Sequence, residues 1–208
     1  MSPARNKIAV ALIIVCVVAL VAILLAGKFG RHPGQMRAAG SSGTALIGGP
    51  FEMIDQNGAR FTDADLKGHL TLIYFGFTFC PDICPTELQA IGAALDLAGI
   101  KDAASAGDVQ ALFISIDPER DTQDVMAAYM PNFHPVMRGL TGTQQQAAAT
   151  AKAFRVYYTK AEDTPGSKNY LMDHSSIIYL MGRDGEFIKH FGLGTPPEDI
   201  AAKLRELR

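Results

Sequence analysis

The stretch LTLIYFGFT, residues 70–78, is apolar or β-branched almost without a break. A strand with one solvated face alternates apolar and polar side chains, whereas a strand that does not alternate is covered on both faces. Such a strand belongs in the middle of a sheet with helices packed on either side. That constrains the chain to a layered α/β architecture.

The flanking segments agree with this. FEMIDQNGARFT (51–62) sets Asn57-Gly58 between two short strand-like pieces, a hairpin signal. DADLKGH (63–69) reads as a turn or short helix, and PTELQAIGAALDLAG (85–99) as a helix. Strand VQALFISI (109–116), polar DPERDT (117–122) and helix TQDVMAAYM (122–130) follow. Strand-like VMRGLTG (136–142) leads to a helix expected over TQQQAAATAKAFRVYY (143–158). SSIIYLMG, RDGE and FIKHFG form a second hairpin with Asp184-Gly185 at its tip, and PPEDIAAKLRELR closes the chain as an amphipathic helix. Strands alternating with helices, then a hairpin and a last helix, predict an α/β sandwich with a central mixed sheet flanked by helices.

Ahead of this domain, residues 8–26 carry no charge, a length that spans roughly 30 Å of hydrocarbon as a helix. A cleaved signal has an apolar region of about 7–15 residues ending in a small-residue site. Residues 8–26 are longer and AILLAGKFG offers no good site, so residues 1–27 are expected to be a retained N-terminal transmembrane anchor. Cys16, mid-span, reads as a small packing or lipid-facing residue. Arg5 and Lys7 on one side balance Lys28, Arg31 and Arg37 on the other, so charge alone does not orient the span. The prefix is too short and apolar for an organelle transit peptide, which points to a bacterial protein. Residues 28–50, rich in Gly, Ser, Ala and Pro, read as a flexible linker, and residues 51–208 as the folded domain. With 19 Lys+Arg against 21 Asp+Glu and no basic block, nucleic acid is excluded as the expected partner.

The chemistry concentrates in FCPDICP. Cys80 and Cys84 stand four apart, each followed by proline, just past the carboxyl end of the central strand, where open α/β sheets place their chemistry. Pro85 disfavours helical geometry at the residue before it and suits the first helical position, so Cys84 is expected at the helix N-cap. A thiol there faces unpaired amides and the positive end of the helix dipole, and its pKa is expected to fall below about 8.5. A redox dithiol of the thioredoxin kind has two intervening residues; here there are three. Structural zinc takes four ligands and the two cysteines supply half. Copper(I) favours thiolates and accepts low coordination, so two thiolates and one imidazole make a three-coordinate site. A reversible disulfide, a nucleophile with its resolving partner, and a metal site all remain open at this point.

Five histidines are candidates for the imidazole. His32 lies in the linker, His69 at a turn before the central strand, His134 in a loop before Pro135, and His190 on a strand face. His174, in NYLMDHSSIIYLMG, stands where a polar segment enters a buried strand. Asp173 is a candidate to orient its ring, though a turn carboxylate is the plainer reading. Met172 is a possible thioether ligand that reads better as core. In DPERDT, Asp121 or Thr122 suits a helix N-cap, and Asp117 or Arg120 are the side chains placed to border the cysteine loop.

These pieces together resemble the Sco/SenC family, copper-binding proteins of cytochrome c oxidase assembly. The matching stretches are YFGFTFCPDICP, SIDPERDT, GLTGT, FRVYY, DHSSIIYLMG and DGEF, in that order, and they run through nearly everything from Phe51 onward. The resemblance implies a thioredoxin-like fold and copper, Cu(I) or Cu(II), held by Cys80, Cys84 and His174. Phe79 stands where some relatives carry a histidine. It also implies a domain on the periplasmic side of a bacterial inner membrane. The partner implied is cytochrome c oxidase subunit II with its dinuclear copper site, and other periplasmic copper chaperones or thiol reductants are further candidates. The role it implies is metal delivery, or reduction of that subunit's cysteines by Cys80 and Cys84. A peroxidase is a weaker alternative: Thr78-x-Cys80 is similar to the threonine and cysteine of peroxiredoxins, without their spacing.

Overall fold

The computed structural model describes residues 46–161 and 170–208. Strands β1 (Glu52–Asp55) and β2 (Arg60–Thr62) form the first hairpin, with Met53 opposite Phe61. Gly58 takes a positive φ of 82° at its tip, and the Asp55 carboxylate accepts the Asn57 and Ala59 amides at 2.8 and 2.9 Å. A 3-10 turn, Asp63–Leu66, leads into β3 (Leu70–Gly76), all seven residues of which are buried. Helix α1 (Ile83–Leu97) and the short α2 (Ala103–Ala106) then lead to β4 (Val109–Ser115). Helix α3 (Gln123–Tyr129) precedes β5 (Met137–Thr141), and α4 (Gln144–Ala153) follows it.

With β8 (Ile177–Met181) and β9 (Phe187–Gly192), the main sheet has seven strands in the order β2-β1-β5-β4-β3-β8-β9. β3, β4 and β5 run parallel; β1 is antiparallel to β5, and β8 is antiparallel to β3. β9 completes the second hairpin, whose Gly185 takes a φ of 79°. Helix α1 packs on the C-terminal helix α5 (Pro197–Leu207), α3 on β5 and α4 on β1. The expected mixed sheet flanked by helices is the fold observed.

Two elements differ from the sequence reading. The helix expected over 143–158 stops at Ala153. Phe154 turns fully into the core against Phe51, Phe75 and Tyr179, and Arg155 follows in the left-handed region at φ 59°. Burial of that ring overrides the helical run of alanines before it. The chain then enters β6 (Tyr158–Ala161), which pairs with β7 (Leu171–His174) in a separate two-stranded sheet. Nothing in the sequence reading anticipated that hairpin.

Residues 46–50 lie against the domain, with Ile47 packed on the core and the Gly48 amide donating to the Ala153 carbonyl at 3.0 Å. No helix among the described residues is long and apolar enough to cross a membrane. The apolar run 8–26, Cys16 and His32 lie outside the described residues.

Candidate metal centre

β3 delivers its carboxyl end to the site, and Gly76 is the point of closest approach. A Cβ there would stand 2.9 Å from Cys84 Sγ and 2.8 Å from the Phe113 ring. Phe77 is buried, and the chain then turns through Thr78 to Cys80, whose amide donates to the Phe77 carbonyl at 3.3 Å. Asp82 is the N-cap of α1, with no bond from its side chain. Cys84 is therefore the second residue inside the helix, not its cap. Pro85 occupies the third position, where its missing N–H is one of the amides the helix leaves unpaired anyway.

This geometry reverses the expectation for the two sulfurs. The unpaired Cys84 amide donates to Cys80 Sγ at 3.4 Å, so the helix N-terminus faces Cys80. Cys84 is completely buried, and burial pushes its thiol well above the ordinary value instead of lowering it. The Tyr74 hydroxyl lies 4.0 Å from Cys84 Sγ, and burial raises that phenol too. Both cysteines are free thiols, Cys80 partly exposed.

His174, at the end of β7, brings Nε2 to 3.6 Å from Cys84 Sγ. Its Nδ1 lies 3.2 Å from the Ser175 carbonyl, which fits an Nδ1–H donating there and leaves the Nε2 lone pair facing the sulfur. Tyr74 and Phe77 pack edge-on against the imidazole, each 6.1 Å between ring centres. Burial holds the His174 pKa below its usual value, which favours the neutral ring. Asp173 makes no hydrogen bond to the ring in the structure; the orienting partner is the Ser175 carbonyl. Met172 is buried in the core.

The donor set fits a soft metal ion. Bonds of about 2.3 Å to sulfur and 2.0 Å to nitrogen put two ligands of one ion about 3.5–3.7 Å apart, the separation of Cys84 Sγ and His174 Nε2. Among the described residues no three His, Cys, Asp or Glu side chains already stand together as a metal cage. Cys80 Sγ stands beside the pair as the acceptor of the Cys84 amide at 3.4 Å.

Among the described residues, the remaining histidines stand elsewhere. His69 opens β3 at the end away from the cysteines, His134 Nε2 meets the Ile100 carbonyl at 3.0 Å, and His190 stacks on Phe187 along β9. The sequence reading undervalued DPERDT. Thr122 is the N-cap of α3, accepting the Val125 amide, while the fully buried Asp121 carboxylate accepts both the amide and the hydroxyl of Thr78 and the hydroxyl of Ser115. Asp117 accepts Tyr170 Oη at 2.7 Å and Arg120 Nε at 2.5 Å. The available signal was that β3 and β4 are adjacent and parallel, so the loops after them share one end of the sheet. The Thr78 hydroxyl donates to Asp121 at 2.6 Å.

Comparison with known proteins identifies the family. The sequence profile of the SCO1/SenC family matches residues 39–208. A SCO2-like protein of Rickettsia felis is 43% identical over 159 residues, 76% of this chain and 76% of its own length. The structure of Bradyrhizobium japonicum ScoI with copper bound superposes with a TM-score of 0.70 at 45% identity, over 78% of this chain and 99% of that one. BsSco, a member of the Sco family of cytochrome c oxidase assembly proteins in which a disulfide switch was identified, superposes with a TM-score of 0.58 at 25% identity, over 77% of this chain and 92% of that one. On the strength of that profile match and these relatives, the chain belongs to the SCO1/SenC family.

Proposed function

We propose that this chain is a copper metallochaperone that binds one ion through Cys80, Cys84 and His174. It hands the ion to the dinuclear copper site of subunit II as cytochrome c oxidase is assembled. Residues 1–27 anchor it in a bacterial inner membrane, with the folded domain in the periplasm. The observation that carries the reading is the 3.6 Å approach of Cys84 Sγ and His174 Nε2 across 90 residues of sequence, beside a second thiol. The copper-bound ScoI relative supports it.

The residues divide the work. Buried Cys84 and half-buried His174 form a pair that is shaped for an ion before it arrives, and the Ser175 carbonyl keeps the Nε2 lone pair turned inward. Cys80, partly exposed at the loop, is the sulfur an incoming or departing ion meets first. Transfer then proceeds by ligand exchange at that open side. Both thiols give up their protons on binding.

Titrating the reduced full chain in detergent with copper(I) and copper(II) tests this. One ion per chain and a thiolate-to-copper(II) absorption band are expected. Cys80→Ser or Cys84→Ser abolishes binding, while His174→Ala weakens it and leaves disulfide formation intact. Unchanged affinity in His174→Ala overturns the ligand set.

A second reading, a thiol–disulfide reductase that keeps the oxidase subunit's cysteines reduced, is favoured by one observation: two free thiols of unlike exposure at one helix N-terminus. The attacking sulfur is then Cys80, because Cys84 is buried with its thiol form stabilised. Turnover of a mixed disulfide that survives His174→Ala selects this reading.

A further inference from the structure

The two arms of the candidate metal centre come from different parts of the fold. The cysteines follow β3 in the main sheet, whereas His174 ends the β6–β7 hairpin, a separate sheet. His174 is three residues from β8, which pairs with β3, so the main sheet fixes one end of β7; where the rest of the hairpin sits depends on what joins it to the cysteine loop.

Beyond the rings of β3 itself, Arg120 reaches both arms. The Arg120 guanidinium lies 4.7 Å from the ring centre of Phe79 and 5.7 Å from that of Phe77, the residues that lead into Cys80. It lies 3.6 Å from the ring centre of Tyr170, at the foot of β7, and its Nη1 donates to the Tyr170 carbonyl at 2.8 Å. Its own position is fixed by Nε donating to buried Asp117, which also receives the Tyr170 hydroxyl. Phe77, flanked by this guanidinium, is one of the two rings packed against the imidazole. Close by, Lys160 on β6 pairs with exposed Glu119 at 2.9 Å, a contact too solvated to hold the hairpin alone.

We propose that Arg120 is a positioning residue for the metal centre: it ties the histidine hairpin to the cysteine loop and so sets where His174 meets Cys84. Arginine suits this because its plane stacks on rings while its rigid fork donates in two directions; lysine has no plane to stack and its donors radiate from a single atom. The inference rests on the copper reading for one of its two measurements and stands without it for the other.

The test uses the full chain in detergent with Arg120→Lys and Arg120→Met, each checked for folding by circular dichroism. In the reduced, metal-free protein, hydrogen exchange across residues 171–174 is expected to quicken by about tenfold or more, while β3 and β4 keep their protection. With copper, affinity is expected to fall by about 10–100-fold, as for other groups that orient metal ligands. Adding His174→Ala to either variant should cost far less than it does alone, because the ring is already misplaced. If Arg120→Met does not fold, Arg120→Lys, which keeps a cation opposite Asp117, decides. Unchanged exchange in a folded variant overturns the proposal, and so do copper losses that simply add to those of His174→Ala. Should the wild type take up no copper, the metallochaperone reading falls, and the exchange measurement alone upholds or overturns the tether.

Discussion

Asp121 is fully buried, yet it carries the contacts that fix Thr78, two residues before Cys80. Burial raises its pKa against the pull of three donors from Thr78 and Ser115. A carboxyl whose folded pKa is raised contributes stability that is fully present below its unfolded value. That contribution is lost as pH rises through the folded value. In urea unfolding between about pH 3.5 and 7, the stability of wild type relative to Asp121→Asn is expected to shrink with rising pH. A constant difference refutes the burial argument. The same physics explains why Cys84 was misread. Position at a helix N-terminus is visible in sequence and argues for a thiolate, but complete burial beneath Tyr74 and beside Gly76 is a tertiary fact, and desolvation outweighs the dipole.

Among the elements, α1 carries the cysteine chemistry at one end and is held from outside at the other. Arg205, in the last turn of α5, and Arg208, its C-cap, donate to the Leu97 and Ala98 carbonyls at 2.8 and 3.2 Å. Those carbonyls lack partners within α1, and cations suit that end of the dipole. The Arg205→Ala/Arg208→Ala variant is expected to lose about 1–2 kcal/mol of stability by urea unfolding. Its copper affinity should not change, since the contacts lie at the far end of the helix. The elements that were legible are those whose signal is local. Unbroken burial marked β3, Asn57-Gly58 and Asp184-Gly185 marked the hairpin tips, and the amphipathic pattern marked α5. The β6–β7 hairpin was hidden because YTKA shows neither alternation nor an apolar run, and its partner strand lies ten positions on. His174 was found through the motif around it. Its orientation by Ser175, Phe77 and Tyr74 depends on contacts that no spacing encodes.

At the scale of the whole molecule, the sheet presents its chemistry at a single end, and the anchor proposed for residues 1–27 predicts that the chain partitions to a membrane. Expression of the full chain and of a version starting at residue 46 checks this. The full chain is expected in the membrane fraction, resistant to high-salt wash, and the shortened one in the soluble fraction. Full-length protein in the soluble fraction overturns the anchor.

The 90-residue span between Cys84 and His174 has a further consequence under the copper reading. An ion shared by the two staples the outlying hairpin to the main body, and a ligand that only the native state can hold lowers the chance of opening. Laden carriers would then resist cellular proteases longer than empty ones, and giving up the cargo would shorten the carrier's own life.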